Sequence, residues 1–201
     1  MKIAFDCDDV LVDFIGTFAR FHNENYGTSL KRDDFHAFSF SKVLSISPDE
    51  GKRKSVEFME SPHLWNAAPI SYSREVLEKI KNSGNSLHLV TSRSELTRRI
   101  TEEWIDRNFP NLFSEIYFSR STYTNPLMPN KANICKEIDA KILVEDNPDH
   151  LNNLFDGTKA LLYDAPWNKN HRQENVQRVH SWKEIEKYLL TSRQVQEQVC
   201  L

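Results

Sequence analysis

Glycine is scarce in this sequence. Of 201 residues only Gly16, Gly27, Gly51, Gly84 and Gly157 are glycine, and no two stand close enough for G-x-G-x-x-G or G-x-x-x-x-G-K. Glycine-loop nucleotide cradles are therefore excluded, because such loops need residues without a Cβ to bring backbone amides onto a phosphate. The three cysteines, Cys7, Cys135 and Cys200, form no C-x-x-C pair and are odd in number, which suits a reducing interior rather than a disulfide framework. No apolar run approaches the roughly 20 residues of a membrane helix. Acid at Asp6 comes too early for a secretory leader, and Cys200 stands one place from the end, wrong for prenylation. Excess charge is missing too: 26 Lys and Arg face 29 Asp and Glu, a net −3. No basic field announces a nucleic-acid polymer or a membrane as partner. A cytoplasmic protein is expected.

Hydrophobic residues make up 39% and charged residues 27% of the chain, enough for one compact domain plus a sizeable insertion. Residues 2–6 are an apolar run closed by acid and read as a buried strand. From about Val12 the period becomes helical, with Phe14, Phe18 and Phe21 spaced by four and three and Gly27 as the stop. Residues 28–72 carry Phe35, Phe38, Phe40, Phe58 and Trp65 but no two-residue period, and one helix over 48–59 is expected there, capped by Ser47. After Pro69 strands and helices alternate. Ser73 is expected to cap a helix through Val76, Leu77 and Ile80 that ends at Gly84. Residues 87–90 read as a strand delivering Thr91-Ser92, followed by a helix with Leu96, Ile100 and Trp104 on one stripe. Strands are also expected at 116–118, 142–144 and 160–163, with a helix at 131–138. Ser181 caps a last helix, and the tail 191–201 is expected to fray or be disordered. The alternation predicts an α/β fold, a Rossmann-like parallel sheet with helices on both faces.

Ligands of such sheets gather beyond the carboxyl ends of the strands. There the first strand delivers Asp6-Cys7-Asp8-Asp9, the second Thr91-Ser92 and the fourth Glu145-Asp146. One acidic strand end is most often a solvated turn or a helix cap. Two of them, each behind an uninterrupted apolar strand, imply a cation between mutually repelling carboxylates, and hard oxygen donors favour Mg²⁺. Thr91, taken alone, reads as a helix cap, and Lys131 competes with Lys136 and Lys141. Lys131 is preferred because it opens a helix after the Pro126–Pro129 loop. Cys7 reads as a small core filler, since a C-x5-R phosphatase motif would need arginine where Asp13 stands. Asp9 reads as a surface residue without chemistry.

Asp6-x-Asp8, Thr91 at a strand end, Lys131 and Glu145-Asp146 occur in the order of the four signatures of the haloacid dehalogenase (HAD) superfamily, which the chain resembles over nearly its whole length. The resemblance implies a Mg²⁺-dependent phosphomonoesterase in which Asp6 attacks phosphorus and forms an aspartyl-phosphate. By the same resemblance Asp8 is the acid/base, and Thr91, Ser92 and Lys131 hold the phosphoryl group. The metal would be bound by Asp6, the Asp8 backbone carbonyl and Asp146, with Glu145 orienting a metal-bound water from behind.

About 80 residues separate Asp8 from Thr91, and an insertion there forms a substrate-choosing cap in this superfamily. The implied division is a core of 1–13 and 73–190 with a helical cap of 14–72. Asp6-x-Asp8-x-Val10-Leu11-x-Asp13-Phe14, Trp65-Asn66-Ala67-Ala68-Pro69-Ile70 and Asp164-Ala165-Pro166-Trp167-Asn168 resemble the 5′(3′)-deoxyribonucleotidase group. That group implies a nucleoside monophosphate substrate with Phe14 and Trp65 lining the base pocket, although aromatics at such spacing equally form cap core. The group usually has glycine at the position of Asp9 and two aspartates at 145–146; aspartate tolerates the left-handed turn that a glycine there would serve. A sugar phosphate as substrate, or a non-catalytic binding module, are the alternative readings, and a homodimer stays open.

Overall fold

The computed structural model describes residues 1–120 and 127–199, with side chains described as far as Thr191. Pro126 of the loop before Lys131 and Cys200 lie outside the described residues. Six strands form one sheet: β1 (Lys2–Phe5), β2 (Ser86–Thr91), β3 (Phe113–Phe118), β4 (Ala140–Glu145), β5 (Lys159–Tyr163) and β6 (Val176–Val179). Their order is β3-β2-β1-β4-β5-β6 and every pairing is parallel. Five of these strands are anticipated by the apolar runs. The sixth is missed because Val176-Gln-Arg-Val is a short edge strand with only its last residue buried, too brief for a periodic signal.

The helices are α1 (Phe14–Tyr26), α2 (Phe40–Leu44), α3 (Pro48–Glu60), α4 (Pro62–Trp65), α5 (Ser73–Asn82), α6 (Arg98–Asn108), α7 (Lys131–Glu137) and α8 (Trp182–Val199). Because strand side chains alternate, β1 sends Ile3 and Phe5 to one face and Ala4 to the other. Ile3, Phe5, Leu87 and Leu89 pack against Leu77 and Ile80 of α5, Trp104 of α6, and Trp182 and Ile185 of α8. Ala4, Val90 and Leu143 pack against Ile134 and Cys135 of α7. Both faces are thus covered, which is what lets a parallel sheet read as continuous apolar runs.

Local chemistry decides several boundaries. Helix α1 starts at Phe14 rather than Val12, because Val12 pairs with Pro69 in an antiparallel bridge and Asp13 caps the helix through Gly16 N–H (3.1 Å). It ends at Gly27, whose φ of 64° is left-handed. Ser47 caps α3 as expected, accepting from Glu50 N–H (3.2 Å). Ser73, expected as a cap, is instead the first residue of α5, after a left-handed Tyr72. Leu96 does not share a stripe with Trp104. It lies 96% exposed in a 3-10 turn (Glu95–Thr97) closed by Ser94, and α6 buries Thr101, Trp104 and Ile105. Helix α8 continues past Thr191 to Val199, since neither glycine nor proline interrupts that stretch.

Between β1 and α5 the chain leaves the sheet and makes α1–α4, whose Phe18, Phe21, Phe35, Phe58 and Leu64 form a separate apolar cluster. Phe18 stacks on Phe40 at 3.9 Å and meets Phe35 and Phe58 edge-on. The insertion's two connections run side by side, with Asp13 N–H donating to Ala68 O and Ile70 N–H to Leu11 O. Two buried indoles pin the loops at its base, Trp182 through Val10 O and Trp104 through Ala67 O (both 2.9 Å).

Candidate active site

Strands β1 and β4 are neighbours at the point where the strand order reverses, so the residues that follow them share one crevice. Asp6 follows β1 and still donates its backbone N–H to Val144 O (2.9 Å), while Glu145 closes β4 and Asp146 follows. One carboxylate oxygen from each of Asp6, Glu145 and Asp146 lies within 4.8 Å of the others, and all three residues are buried. Lys131 enters from the first turn of α7, its side chain 1% exposed and its Nζ 2.6 Å from both Asp6 Oδ1 and Glu145 Oε2. Of the three lysines weighed from sequence, Lys131 is the one the structure brings to the carboxylates, while Lys136 and Lys141 are exposed.

Three buried carboxylates around one ammonium leave an excess of negative charge. Burial, and then repulsion from Glu145, raise the Asp6 pKa to about 7. Burial, with Glu145 and Asp6 beside it, holds Asp146 well above the usual carboxylate range. Burial opposes ionisation of Glu145 as well, but Lys131 and His150 outweigh it and hold that carboxyl below its ordinary value. The Glu145 carboxylate is otherwise occupied: Oε1 accepts from Asn147 N–H (2.9 Å) and Asp146 N–H (3.2 Å), and His150 Nδ1 lies 3.3 Å from Oε2. Asp6 and Asp146 thus remain as the less committed donors. A buried, oxygen-only donor set with unbalanced negative charge fits a hard divalent cation.

The second aspartate is placed differently. Both Asp8 oxygens accept from Arg93, Nε at 3.1 and 3.2 Å and Nη2 at 2.7 Å. Arg93 is buried and also donates to Thr101 Oγ1 (3.2 Å). Two residues before it, Thr91 ends β2 wholly buried and its Oγ1 accepts from Arg93 N–H (3.2 Å). Ser92 Oγ shares a hydrogen bond with Ser119 Oγ (2.9 Å). Sequence reading overlooked Arg93, although its place directly after Thr91-Ser92 at a strand end was a usable signal. Cys7, as expected, is fully buried in the core.

Of the two aromatics expected to meet a base, Phe14 lies between the apolar cluster of the insertion and Arg93, 5.0 Å from Phe58 and 6.0 Å from the Arg93 guanidinium. Trp65 lies under the guanidinium of Arg107, 4.5 Å away, in the last turn of α6. Among the described residues, no ring contact or hydrogen bond joins Trp65 to the carboxylate cluster.

Asp9 is not the surface residue expected from the sequence. It is 3% exposed, with φ 56°. That left-handed turn folds its carboxylate onto the start of α1, where Ile15 N–H lies 3.3 Å from both oxygens, and onto Arg32 of the insertion, with which it forms an ion pair. The left-handed conformation itself is the one anticipated. Opposite, Trp167 Nε1 donates to Asp146 Oδ2 (2.9 Å), and the buried Asn168 amide donates to Asp146 O (2.7 Å) and Tyr163 O (2.8 Å). The segment 164–168 was legible only as a resemblance; its work is to hold the Asp146 backbone and side chain.

The sequence model of the 5′ nucleotidase, deoxy (pyrimidine), cytosolic type C proteins matches residues 1–195. A candidate 5′(3′)-deoxyribonucleotidase of Staphylococcus aureus is 25% identical over 191 residues, covering 94% of this chain and 95% of the relative. Among solved structures, a HAD-superfamily hydrolase of subfamily IA from Geobacter sulfurreducens superposes with a TM-score of 0.59 at 19% identity, covering 94% and 95% of the two chains. A candidate HAD hydrolase from Bacillus subtilis, crystallised with magnesium, gives 0.58 at 13% identity over 94% and 98%. These two likenesses establish the fold.

Proposed function

The chain belongs to the 5′ nucleotidase, deoxy (pyrimidine), cytosolic type C family of HAD-type phosphomonoester hydrolases, and we propose that it dephosphorylates nucleoside monophosphates through an aspartyl-phosphate on Asp6, with Mg²⁺ as cofactor. The observation that carries this reading is the Lys131 ammonium bridging Asp6 and Glu145 beside Asp146 at the ends of adjacent strands. Asp6 and Asp146, with the Asp8 backbone carbonyl, would hold the ion, with Glu145 behind them. Bound there, Mg²⁺ supplies charge neutralisation between a carboxylate nucleophile and a phosphate dianion.

An Asp6 oxygen attacks phosphorus and the bond to the leaving oxygen breaks. Asp8 gives that oxygen its proton, then takes one from the water that hydrolyses the aspartyl-phosphate. Both Asp8 oxygens accept from Arg93, which fixes the direction in which the carboxyl faces the crevice. Lys131 offsets charge on Asp6 and the phosphoryl group, and Thr91 and Ser92 donate to phosphoryl oxygens. The α1–α4 insertion serves as the cap, with Phe14 and Trp65 as its aromatic contacts to a base. Buried free thiols at Cys7 and Cys135 suit a cytoplasmic setting, and no described helix is long and apolar enough to cross a membrane.

The test is a panel of phosphomonoesters assayed with MgCl₂. Nucleoside monophosphates are expected to be preferred over sugar phosphates, and Asp6→Asn to lose on the order of 10⁴-fold in turnover while its circular dichroism is unchanged. Equal turnover of sugar phosphates would end the nucleotide assignment, and an active Asp6→Asn would end the mechanism.

A further inference from the structure

Arg32 stands in a 3-10 turn of the insertion, 23 residues from Asp9, yet it meets residues from two distant parts of the chain. Its Nη1 pairs with the buried Asp9 and, at 3.1 Å, with Asp13, the cap of α1. Its guanidinium carbon lies 5.4 Å from the ring centre of Trp167. The indole is gripped on the insertion side by Phe38 as well, whose ring meets it edge-on at 6.5 Å. Trp167 in turn donates to Asp146 Oδ2. A continuous chain of contacts therefore leads from the first turn after β1, through the insertion, to the carboxylate proposed to bind the cation.

We propose that Arg32 is a positioning residue that acts on Asp146 through Trp167, with Asp9 as the post that holds it. The proposal rests on Asp146 being a cation ligand. An indole N–H fixes one oxygen of Asp146, leaving the other to be presented to the ion in a set direction. The indole keeps that direction only while its faces are packed, and Arg32, anchored by two carboxylates, packs one side. Groups that orient a metal ligand typically contribute tenfold or more to metal affinity.

Charge and position predict opposite signs here. Removing a cation near an acidic cluster would, by Coulomb attraction alone, tighten the binding of Mg²⁺. Loss of positioning would weaken it.

The test titrates the full-length protein with MgCl₂ alone, following heat release and the metal-induced rise in melting temperature. Arg32→Met and Trp167→Phe are each expected to weaken Mg²⁺ about tenfold. The double variant is expected to be no weaker than either single one, because both remove the same link. Arg32→Lys, which keeps the ion pair but lacks the planar face, is expected to recover part of the loss. Asp9→Asn, which suits the left-handed turn, is a second route to a loosened Arg32 and is expected to weaken Mg²⁺ a few-fold. Tighter or unchanged binding in Arg32→Met, or additive losses in the double variant, would overturn the coupling while leaving the proposed function standing. Wild-type protein that takes up no Mg²⁺ would overturn both.

Discussion

On the sheet side of the crevice, Asp6, Glu145 and Asp146 are placed by backbone that is hydrogen-bonded and buried within the parallel sheet. On the insertion side, Phe14, Arg32 and Phe38 are placed by aromatic packing and ion pairs at the edge of a small cluster, and Phe38 is 60% exposed. The first arrangement fixes charged atoms within a few ångströms and admits little rearrangement, as electrostatic catalysis demands. The second is held by side-chain contacts near the surface, with no strand backbone beneath it. Under the proposed function, reaction and recognition would fall to parts of the molecule held by different means.

The sharpest way to break that contrast is at Lys131. Lys131→Met leaves Asp6 and Glu145 buried without their counter-ion and is expected to cost about 3–5 kcal/mol in urea unfolding, besides removing turnover. The exposed Lys136→Ala should change stability by no more than about 0.5 kcal/mol. Equal costs would mean that the sheet side is not the rigid, charge-coupled half.

A smaller effect is expected on the other side. Phe14→Leu keeps apolar volume but removes the ring, and should raise KM for a nucleoside monophosphate about tenfold with kcat nearly unchanged. Trp65→Leu, which disturbs the Arg107 contact, should raise it less. A fall in kcat in place of a rise in KM would move Phe14 to the reacting side.

The smallest effect is in pH dependence. Asp6 and Asp9, raised by burial to about 7, and Asp146, raised likewise, bind protons more tightly folded than unfolded. For Asp6 and Asp9 the resulting contribution to stability is fully present below the ordinary carboxylate pKa and is lost as pH rises through about 7, and Asp146 acts in the same direction. Without divalent metal the melting temperature should fall by about 3 °C or more between about pH 5 and pH 7.5. Added MgCl₂ should raise it more at the higher pH. A metal-free protein that gains stability over this interval would show that the carboxylates are not crowded as described.

Much of this was legible in the chain. Uninterrupted apolar runs such as Ile142-Leu-Val mark strands that only a doubly covered sheet can bury, and the acids behind them mark the strand ends. Lys131 could be preferred over its rivals because a lysine opening a helix is carried to the crevice. Asp9 and Leu96 were misread for a common reason: a single left-handed residue or a 3-10 turn reverses which side a residue faces, and neither leaves a periodic trace. Arg32 left no signal, since its partners lie 19 and 23 residues away in sequence and depend on how the insertion folds back.

Strand pattern and strand-end acids, local properties of short segments, were sufficient to mark five of the six strands and the carboxylates that meet at their ends. Which carboxylate Arg93 holds, where Trp167 points and what Asp9 binds were decided by the tertiary structure alone. Apart from the Asp9 contact with Ile15 N–H, each depends on contacts between segments distant in sequence, whose approach is set by packing of the whole domain.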